Sequence, residues 1–308
     1  MIKVQMHGRL GNQLFQYAYA RKIQIETGQE ICICFREVES KGGGISDGWE
    51  DSLKYLKVSD YQIYKRSLPF IFYKINLFSA VLAGIYYLAY LRKKGNRREM
   101  INYQKKWCPV LDKFGIRWLA NDYYPFQCNN KNIFLNGSFE SEKYFSSIRE
   151  ILLNEFVPKQ QLTEENKELF EIICKDNSVC ISIRSFHELS GDKRQNFYQI
   201  CDKEYFDRAV QYMKQHLEHP VFIIFSDNVE WVKQKFDFTN CKTMYENTQN
   251  SVWEKLRLMS ACKHFIISNS TFSWWAQYLG TSKEKIVVAP CKWREDKPDL
   301  IMEQWILL

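Results

Sequence analysis

Several patterns that define common enzyme classes are missing from this sequence. No Asp-x-Asp pair occurs, so nothing indicates a magnesium-held nucleotide sugar. There is no P-loop, and no group of Cys and His residues has the spacing of zinc ligands. We therefore predict a protein without a bound metal or cofactor.

A signal peptide is also missing from the first residues, which lead directly into a predicted strand. The ten cysteines are scattered along the 308 residues, and the closest pair, Cys32 and Cys34, alternates along another predicted strand. This usage is typical of reduced thiols. We expect a cytoplasmic protein.

Charge of one sign is only mildly in excess. The net charge of +7 favours an anionic ligand or a membrane surface. Lys and Arg are dispersed apart from a group at residues 92–98, and no nucleic-acid-binding module is recognisable. We predict no nucleic-acid partner.

Predicted strands and helices alternate along the chain, which is the pattern of βαβ units with parallel sheets. We expect two Rossmann-like α/β domains, at residues 1–157 and 158–308, and a capping box at Thr163 that opens a helix in the second. The strand-like runs are IKVQM, EICICF, NIFLNG, VCISIR, PVFIIFS, HFIIS and KIVVAP, and helix-like stretches cover residues 13–27, 203–217 and 252–262.

An apolar stretch at residues 68–94 departs from this pattern. Its uncharged part, residues 75–91, is 17 residues long and lies at the lower limit for spanning a bilayer. Spanning would also split the first domain. Two other interpretations stay open: a helix on the membrane surface with basic residues beside it, and a helix pair buried in the first domain.

The opening motif GRLGNQ places two glycines between the first strand and a helix predicted to begin near Asn12. Free N–H groups and the positive end of the helix dipole would face a ligand there. The third glycine of the dinucleotide fingerprint is missing. The motif therefore predicts either a ligand loop with Gly11, Asn12 and Gln13 or a purely structural turn.

Polar residues follow the apolar strands of the second half, where open α/β sheets bind ligands. Arg184 ends one strand, and its planar guanidinium suits a diphosphate, although a surface salt bridge would also explain it. His187 and Glu188 follow and are candidates for a general base.

Two later strands end in the same way. Ser226 and Asp227 precede a helix, where a carboxylate can accept hydrogen bonds from guanine or ribose, or can cap the helix. Further on, five small polar residues begin a helix and predict an anion site, and Trp274 and Trp275 are interpreted as the packing face of that helix. The five are Ser268, Asn269, Ser270, Thr271 and Ser273.

Together these motifs resemble the alpha-1,2-fucosyltransferases of glycosyltransferase family 11. The matching pieces are GRLGNQLFQYAYA, FLNGSFESEKYF, FSDN, LMSACKHFIISNSTFSWWAQYL and KIVVAP, and they span nearly the whole chain. The resemblance implies a GT-B-like architecture, with two Rossmann-like domains whose parallel sheets face a central cleft. It also implies inverting, metal-independent transfer of L-fucose from GDP-fucose to the 2-hydroxyl of a galactoside, forming an alpha-1,2 linkage.

The resemblance implies roles for the matching residues as well. Arg184 would bind the diphosphate, Asp227 with Ser226 the guanosine, and the small polar residues at 268–273 the phosphate and fucose. Gly11 would contact the donor, Gln13 the acceptor, and Asn12 would serve both the acceptor and catalysis. The implied acceptor is a galactose-containing oligosaccharide or a lipid-linked glycan, with the enzyme at the inner face of the membrane.

One departure from the family stands out. Family members carry a His-x-Arg-Arg-x-Asp pattern where this chain has SIRSFH at residues 182–187, so Arg184 is retained and Ser185 replaces the second arginine. Lys193 and Arg194 are close enough in sequence to supply a replacement cation.

Two other classes of protein stay open. A non-catalytic nucleotide-sugar or glycan-binding protein of the same fold would bind GDP-fucose without transferring it. A nicotinamide oxidoreductase would be stabilised by NAD, and the incomplete glycine fingerprint disfavours it.

Overall fold

Two α/β units make up the chain. Unit 1 comprises Met1–Lys54 and Val58–Glu155, and unit 2 comprises Tyr55–Lys57 and Phe156–Leu308. The computed structural model describes residues 1–41, 48–66, 70–73, 77–93, 97–120, 123–125, 130–186, 199–238, 240–293 and 299–308.

Unit 1 is organised around a parallel β-sheet. Among the described residues, its strands are β1 (Ile2–Gln5), β2 (Ile31–Cys34), β3 (Gln62–Ile63), β4 (Ile116–Trp118) and β5 (Ile133–Asn136). Its α-helices there are α1 (Leu10–Thr27), α2 (Arg36–Glu39), α3 (Leu77–Leu91), α4 (Arg97–Asp112) and α5 (Arg149–Glu155). The strand order is β3-β2-β1-β5-β4. β1 therefore lies at the centre of the sheet. All neighbouring pairs of strands are parallel.

Unit 2 has a second parallel sheet. Among the described residues, its strands are β6 (Ser178–Ile183), β7 (Val221–Ser226), β8 (Lys242–Tyr245), β9 (His264–Ile266), β10 (Val287–Ala289) and β11 (Ile306–Leu307). Its α-helices there are α6 (Lys167–Lys175), α7 (Lys203–His216), α8 (Val229–Lys235), α9 (Val252–Ala261) and α10 (Thr271–Leu279). The order is β11-β10-β9-β6-β7-β8, again parallel throughout.

The central strands are those that the sequence predicts. β6 and β7 are buried along their whole length, as expected for strands covered on both faces, and Val179, Ile181 and Ile224 belong to the core of unit 2. The prediction of parallel α/β sheets is confirmed. The sequence does not reveal β3, β4, β8 and β11, because these strands have only two to four residues, and β3, β4 and β8 also lack an apolar run.

Two local predictions are wrong. α1 begins at Leu10 rather than near Asn12, so Gly11 lies inside its first turn. Thr163 does not form a capping box, since its side chain accepts no cap hydrogen bond from the backbone and its hydroxyl instead contacts the Glu254 carboxylate. Glu254 therefore joins this turn to α9.

The segment Tyr55–Lys57 belongs to unit 2 although it is surrounded in sequence by unit 1. Leu56 forms an antiparallel bridge with Pro158, and the Tyr55 ring stacks on Trp253 with centroids 4.1 Å apart. No sequence pattern predicts this excursion, because it depends on contacts with residues a hundred or more positions away.

The apolar stretch of unit 1 matches neither open interpretation fully. α3 buries Ser79, Ala83 and Tyr86, and Tyr86 packs on Tyr103 and Trp107 of α4. The opposite face of α3 is exposed and apolar. Among the described residues, no helix combines the length and the apolar character needed to cross a bilayer.

Gly137 directly follows β5 at a point where only glycine fits. A Cβ added there would overlap the backbone carbonyl oxygen of Leu119, which cannot move aside as a side chain could. We expect Gly137→Ala to destabilise unit 1 by about 1–3 kcal/mol, and so to lower its Tm by several degrees.

The matched control is Gly84→Ala in α3, where a Cβ meets no atom within 4 Å. That change should leave the free energy of unfolding at the wild-type value or raise it by about 0.5–1 kcal/mol, because alanine has a higher helix propensity than glycine. Calorimetry of both variants checks the pair. Equal Tm values for Gly137→Ala and the wild type would contradict this account of the turn.

Candidate functional site

Each sheet has one point at which the strand order reverses direction. In unit 2, β7 and β8 lie on one side of β6, and β9, β10 and β11 lie on the other. Open parallel sheets bind ligands outside the carboxyl ends of the strands at such a switch point. In unit 2 this crevice is flanked by Arg184, which follows β6, and by Ser268, just beyond β9.

Arg184 is held in place by the residue that follows the neighbouring strand. Its Nε lies 3.3 Å from Oδ2 of Asp227, and the Ser185 N–H donates to Oδ1 of the same carboxylate at 2.8 Å. The Arg184 side chain is 20% exposed, so it is anchored at one side while still reaching solvent. Asp227 therefore orients the guanidinium.

A second carboxylate at this edge, Glu246, was not predicted from the sequence. It directly follows β8 and is buried. Its Oε1 accepts the Ser226 N–H at 3.0 Å and lies 3.3 Å from Lys255 Nζ. Its Oε2 has no hydrogen-bond partner among the described residues.

Burial dominates the electrostatics of Glu246. Burial raises the pKa of Glu246 to about 7, although the Lys255 ammonium and the Ser226 N–H act in the opposite direction. The nearby Asp227 carboxylate adds a smaller rise to this pKa. Glu246 thus changes protonation close to neutral pH in the absence of a ligand.

The small polar residues at the start of α10 divide into two groups. Ser270 caps the helix by accepting the Phe272 N–H, and the Ser273 hydroxyl bonds the Ser268 carbonyl at 3.0 Å, so both are used by the turn itself. By contrast, Oγ of Ser268 and Oδ1 of Asn269 are buried and have no partner among the described residues. The hydrogen-bonding capacity of these two atoms is therefore unused within that part of the chain, and the nearby Thr271 is partly exposed.

The turn after β7 differs in detail from the prediction. Neither Ser226 nor Asp227 caps the following helix, because Asn228 does so by accepting the Trp231 N–H at 2.9 Å. Asp227 is thus left to serve Arg184. Trp274 and Trp275 are fully buried, which confirms the prediction that they form a packing face.

The switch point of unit 1 lies between β1 and β5. His7, just beyond β1, contacts Oδ1 of Asn136 through Nε2 at 2.7 Å and Oε2 of Glu37 through Nδ1 at 2.9 Å. The hydrogen bond from His7 lowers the pKa of Glu37. Both ring nitrogens are therefore engaged, and the side chain joins the carboxyl ends of three neighbouring strands.

The opening motif beside His7 is largely structural. Gly8 has φ +72°, and a Cβ there would overlap the Asn12 side chain. Gln13, predicted to contact the acceptor, is instead fully buried, and its amide bonds the backbone of Glu50 and Ser52. Gln13 therefore positions the segment around residues 50–52.

Other predicted site residues have different outcomes. Gly11 is buried in the first turn of α1, and Asn12 is partly exposed at the same helix start. The candidate bases His187 and Glu188 and the proposed replacement cations Lys193 and Arg194 lie outside the described residues. Within the described part of the chain, no three His, Cys, Asp or Glu side chains are grouped as metal ligands.

The profile described as "Glycosyl transferase family 11" matches residues 89–306. The chain belongs to glycosyl transferase family 11. The prediction from the sequence motifs is confirmed, and this family 11 protein is a glycosyltransferase.

Curated relatives match this glycosyltransferase over nearly all of its length or over about half of it. One from Escherichia coli, named O-antigen biosynthesis glycosyltransferase WbnK, is 27% identical over 98% of this chain and 99% of its own. Another from Escherichia coli, an alpha-1,2-colitosyltransferase, is 26% identical over 99% and 98%. A galactoside alpha-(1,2)-fucosyltransferase 1 from Saimiri boliviensis boliviensis is 26% identical over 53% of this chain and 46% of its own.

Solved structures share the fold at low sequence identity. A mutant of Arabidopsis thaliana FUT1 in complex with GDP superposes with a TM-score of 0.51 at 13% identity, covering 96% of this chain and 71% of that one. The fucosyltransferase NodZ from Bradyrhizobium superposes with a TM-score of 0.50 at 12% identity, covering 90% of this chain and 91% of that one. These likenesses bear out the predicted GT-B-like α/β fold class of the family 11 glycosyltransferase.

Sequence reasoning missed His7, Glu37 and Glu246. His7 is separated from the first strand by one residue and precedes a glycine, which is a usable signal for a switch-point residue. Glu246 follows a strand too short and too polar to predict, so its position at the sheet edge was not visible. Glu37 was missed because its place in the site depends on its contact with His7, which the sequence does not show.

The raised pKa of Glu246 makes stability depend on pH in a defined direction. Between the ordinary carboxyl pKa of 4.5 and about 7, the folded glycosyltransferase binds more protons than the unfolded chain. The free energy of unfolding therefore falls as pH rises through this window, by up to about 3 kcal/mol from this group. Glu246→Gln removes this component, so the stability of the wild type relative to the variant should decline from pH 5 to pH 8.

Denaturant unfolding at several pH values measures this difference. The control is Glu230→Gln, which changes an exposed carboxylate on α8 and should stay at a constant offset from the wild type. If the Glu246→Gln offset is also constant across pH, Glu246 does not hold a proton near neutrality.

Proposed function

We propose that this glycosyltransferase transfers L-fucose from GDP-fucose to the 2-hydroxyl of a β-galactoside in a glycan, forming an alpha-1,2 linkage. Transfer proceeds with inversion at the anomeric carbon and without a metal ion. Membership of family 11 and the full-length relatives named for O-antigen biosynthesis and for alpha-1,2 transfer support this proposal.

The observation that carries the proposal is that Arg184 and buried polar atoms with no partner among the described residues lie at the switch point of unit 2. A departing diphosphate needs positive charge and hydrogen-bond donors. Arg184 supplies the charge, oriented by Asp227, and Ser268 supplies a buried hydroxyl across the crevice. The N-terminus of α10 adds backbone N–H groups and the positive end of its dipole.

The nucleoside of the donor extends along the same edge. Neighbouring strands are about 4.8 Å apart, so the carboxyl ends of β9, β6, β7 and β8 together span roughly 14 Å. Oε2 of Glu246, which has no partner within the described ranges, lies at the β8 end and can accept hydrogen bonds from the N–H groups of a guanine edge. We assign base recognition to Glu246 and assign Asp227 chiefly to holding Arg184, which revises the role expected for Asp227.

The reaction requires two bonds to change. The acceptor oxygen attacks the fucose anomeric carbon from the face opposite the diphosphate, while the bond from that carbon to the phosphate oxygen breaks. GDP leaves with the electron pair, and Arg184 and the α10 N-terminus stabilise the charge that develops on it. Such donors favour the transition state over the ground state, because the charge is larger there.

The proton of the attacking hydroxyl needs an acceptor. His187 and Glu188 remain the proposed bases by type and by their position after β6, and a phosphate oxygen of departing GDP is the other candidate. We expect Glu188→Gln and His187→Asn to separate these candidates. Loss of turnover with retained GDP affinity in one variant assigns the base to that residue, and retained turnover in both assigns it to the phosphate.

The acceptor side is assigned to unit 1. Asn12 is partly exposed beside the His7 network at the unit 1 switch point, and this edge is the proposed binding surface for the galactoside. Gly11 keeps a proposed backbone contact with the fucose of the donor. The acceptor is a galactose-containing oligosaccharide or lipid-linked glycan, and we place the enzyme in the cytoplasm at the inner face of the membrane.

A nucleotide panel tests the donor. Without added metal, GDP and GDP-fucose should raise the Tm, whereas UDP-galactose and NAD should not. Ligand at a hundred times its Kd stabilises a protein by about 2.7 kcal/mol, which is an easily measured shift. A shift with NAD alone would contradict the proposal. GDP-fucose binding without transfer to any galactoside would instead indicate a non-catalytic binding protein of this fold.

Arg184→Ala tests the central role in catalysis. Removing a donor aimed at a developing negative charge costs about 3–4 kcal/mol, so turnover should fall a hundredfold or more. Arg208→Ala is the matched control, since Arg208 is an exposed arginine on α7 of the same unit. Radiolabelled fucose transfer measures both. Retention of more than a tenth of the activity by a folded Arg184→Ala protein would overturn the assignment.

A further inference from the structure

The outer face of α3 is exposed and apolar along the whole helix. It is formed by Leu77, Phe78, Val81, Ile85, Leu88 and Leu91, spaced at helical intervals. Leu77 is 82% exposed and Leu88 65%. The helix contains no charged residue. A contiguous apolar surface of this kind marks an interaction site in a protein that is otherwise normally patterned.

The orientation of this face is fixed by packing on the other side of the helix. Tyr86 is fully buried, stacks with Tyr103 and lies edge-on to Trp107 of α4. The Tyr103 hydroxyl donates to the Tyr86 carbonyl at 3.2 Å, and the Tyr86 hydroxyl donates to the Trp118 carbonyl at 3.2 Å. These contacts fix the orientation of α3, so its outer face is directed away from the core of unit 1.

Positive charge is concentrated in the part of the sequence that contains this helix. Residues 61–111 contain ten Lys or Arg and one Glu, while the rest of the chain contains 33 basic and 35 acidic residues. The whole positive excess of the protein thus belongs to the segment that carries α3. Lys65, Arg66 and Arg92 of this segment are exposed in the described part of the chain.

We propose that the outer face of α3 lies in the surface of an anionic lipid bilayer, with exposed basic side chains of the same segment, such as Lys65, Arg66 and Arg92, on the lipid headgroups. Apolar side chains on one face together with adjacent basic residues are the features of helices that bind in the plane of a membrane. A second copy of the chain is a poor occupant, because two such segments of strong positive charge would repel each other across the contact.

The position of α3 connects this surface to the acceptor edge, a connection that rests on the proposed function. The hydroxyl bond from Tyr86 reaches Trp118 at the carboxyl end of β4. Near the end of α3, burial raises the pKa of Tyr90, with smaller rises from Tyr87 and from the Glu37 carboxylate of the His7 network. Membrane contact through α3 therefore brings the acceptor edge of unit 1 close to lipid, where a lipid-linked glycan is presented.

Vesicle co-sedimentation tests the proposal on the full chain. Vesicles of phosphatidylcholine with 30% phosphatidylglycerol should bind the wild type at least tenfold more tightly than pure phosphatidylcholine, and high salt should weaken this binding. The double variant I85S/L88S changes two exposed side chains and should lose at least tenfold in vesicle affinity. The matched control I25S/I151S removes two exposed apolar side chains elsewhere in unit 1 and should bind like the wild type.

Absence of wild-type binding to anionic vesicles, or equal binding by I85S/L88S, would overturn the proposal. Light scattering that shows a dimer in the wild type and a monomer in I85S/L88S would assign the face to a second copy and overturn it as well. Transfer to a soluble galactoside without vesicles should be unchanged in I85S/L88S. If neither the variant nor the wild type transfers fucose to a soluble galactoside, the proposed function fails. The vesicle result still decides whether α3 binds a membrane.

Discussion

Parallel strand direction is the constraint on which the rest of this structure depends. Because neighbouring strands in each sheet run the same way, the residues that follow them collect at one edge. In unit 2 that edge gathers Arg184, Asp227, Glu246 and Ser268, which are separated by up to 84 positions in sequence. Short connections and local turns then decide which of these side chains are used internally and which are left free.

Some polar groups at this edge of unit 2 bond the turns and helices around them, and others are assigned to the ligand. Ser270, Ser273 and Asn228 satisfy backbone groups of the turns and helices that they begin. Asp227 orients Arg184, so the guanidinium does not need to be ordered when a ligand binds. Oε2 of Glu246 and Oγ of Ser268 are buried and have no partner in the described part of the chain, which is costly unless a ligand satisfies them.

Much of this arrangement could be predicted from sequence, for physical reasons. The apolar runs of β6 and β7 show the buried parallel sheet, and the polar residues directly after them mark the site edge. Glu246 could not be found, because the edge strand before it has no apolar run to reveal it. Gln13 was assigned to a ligand from its residue type and from the family resemblance, and the structure shows that its amide bonds the backbone of Glu50 and Ser52.

The stretch at residues 68–94 illustrates a different limit. Composition shows that it is apolar, but composition cannot show which face of α3 packs inward, because neither face of the helix carries a charged residue. The contacts of Tyr86 with Tyr103 and Trp107 settle the orientation and leave the opposite face exposed. Tertiary packing thus places one face of α3 in the core of unit 1 and the other at the surface.

Hydrogen–deuterium exchange of the full chain, with and without GDP, tests the central claim most directly. We expect GDP to slow exchange at residues 184–186, 226–228 and 267–273, around the switch point of unit 2, with little change at residues 7–13 of unit 1. Protection confined to residues 7–13, or no protection around the unit 2 switch point at saturating GDP, would contradict it.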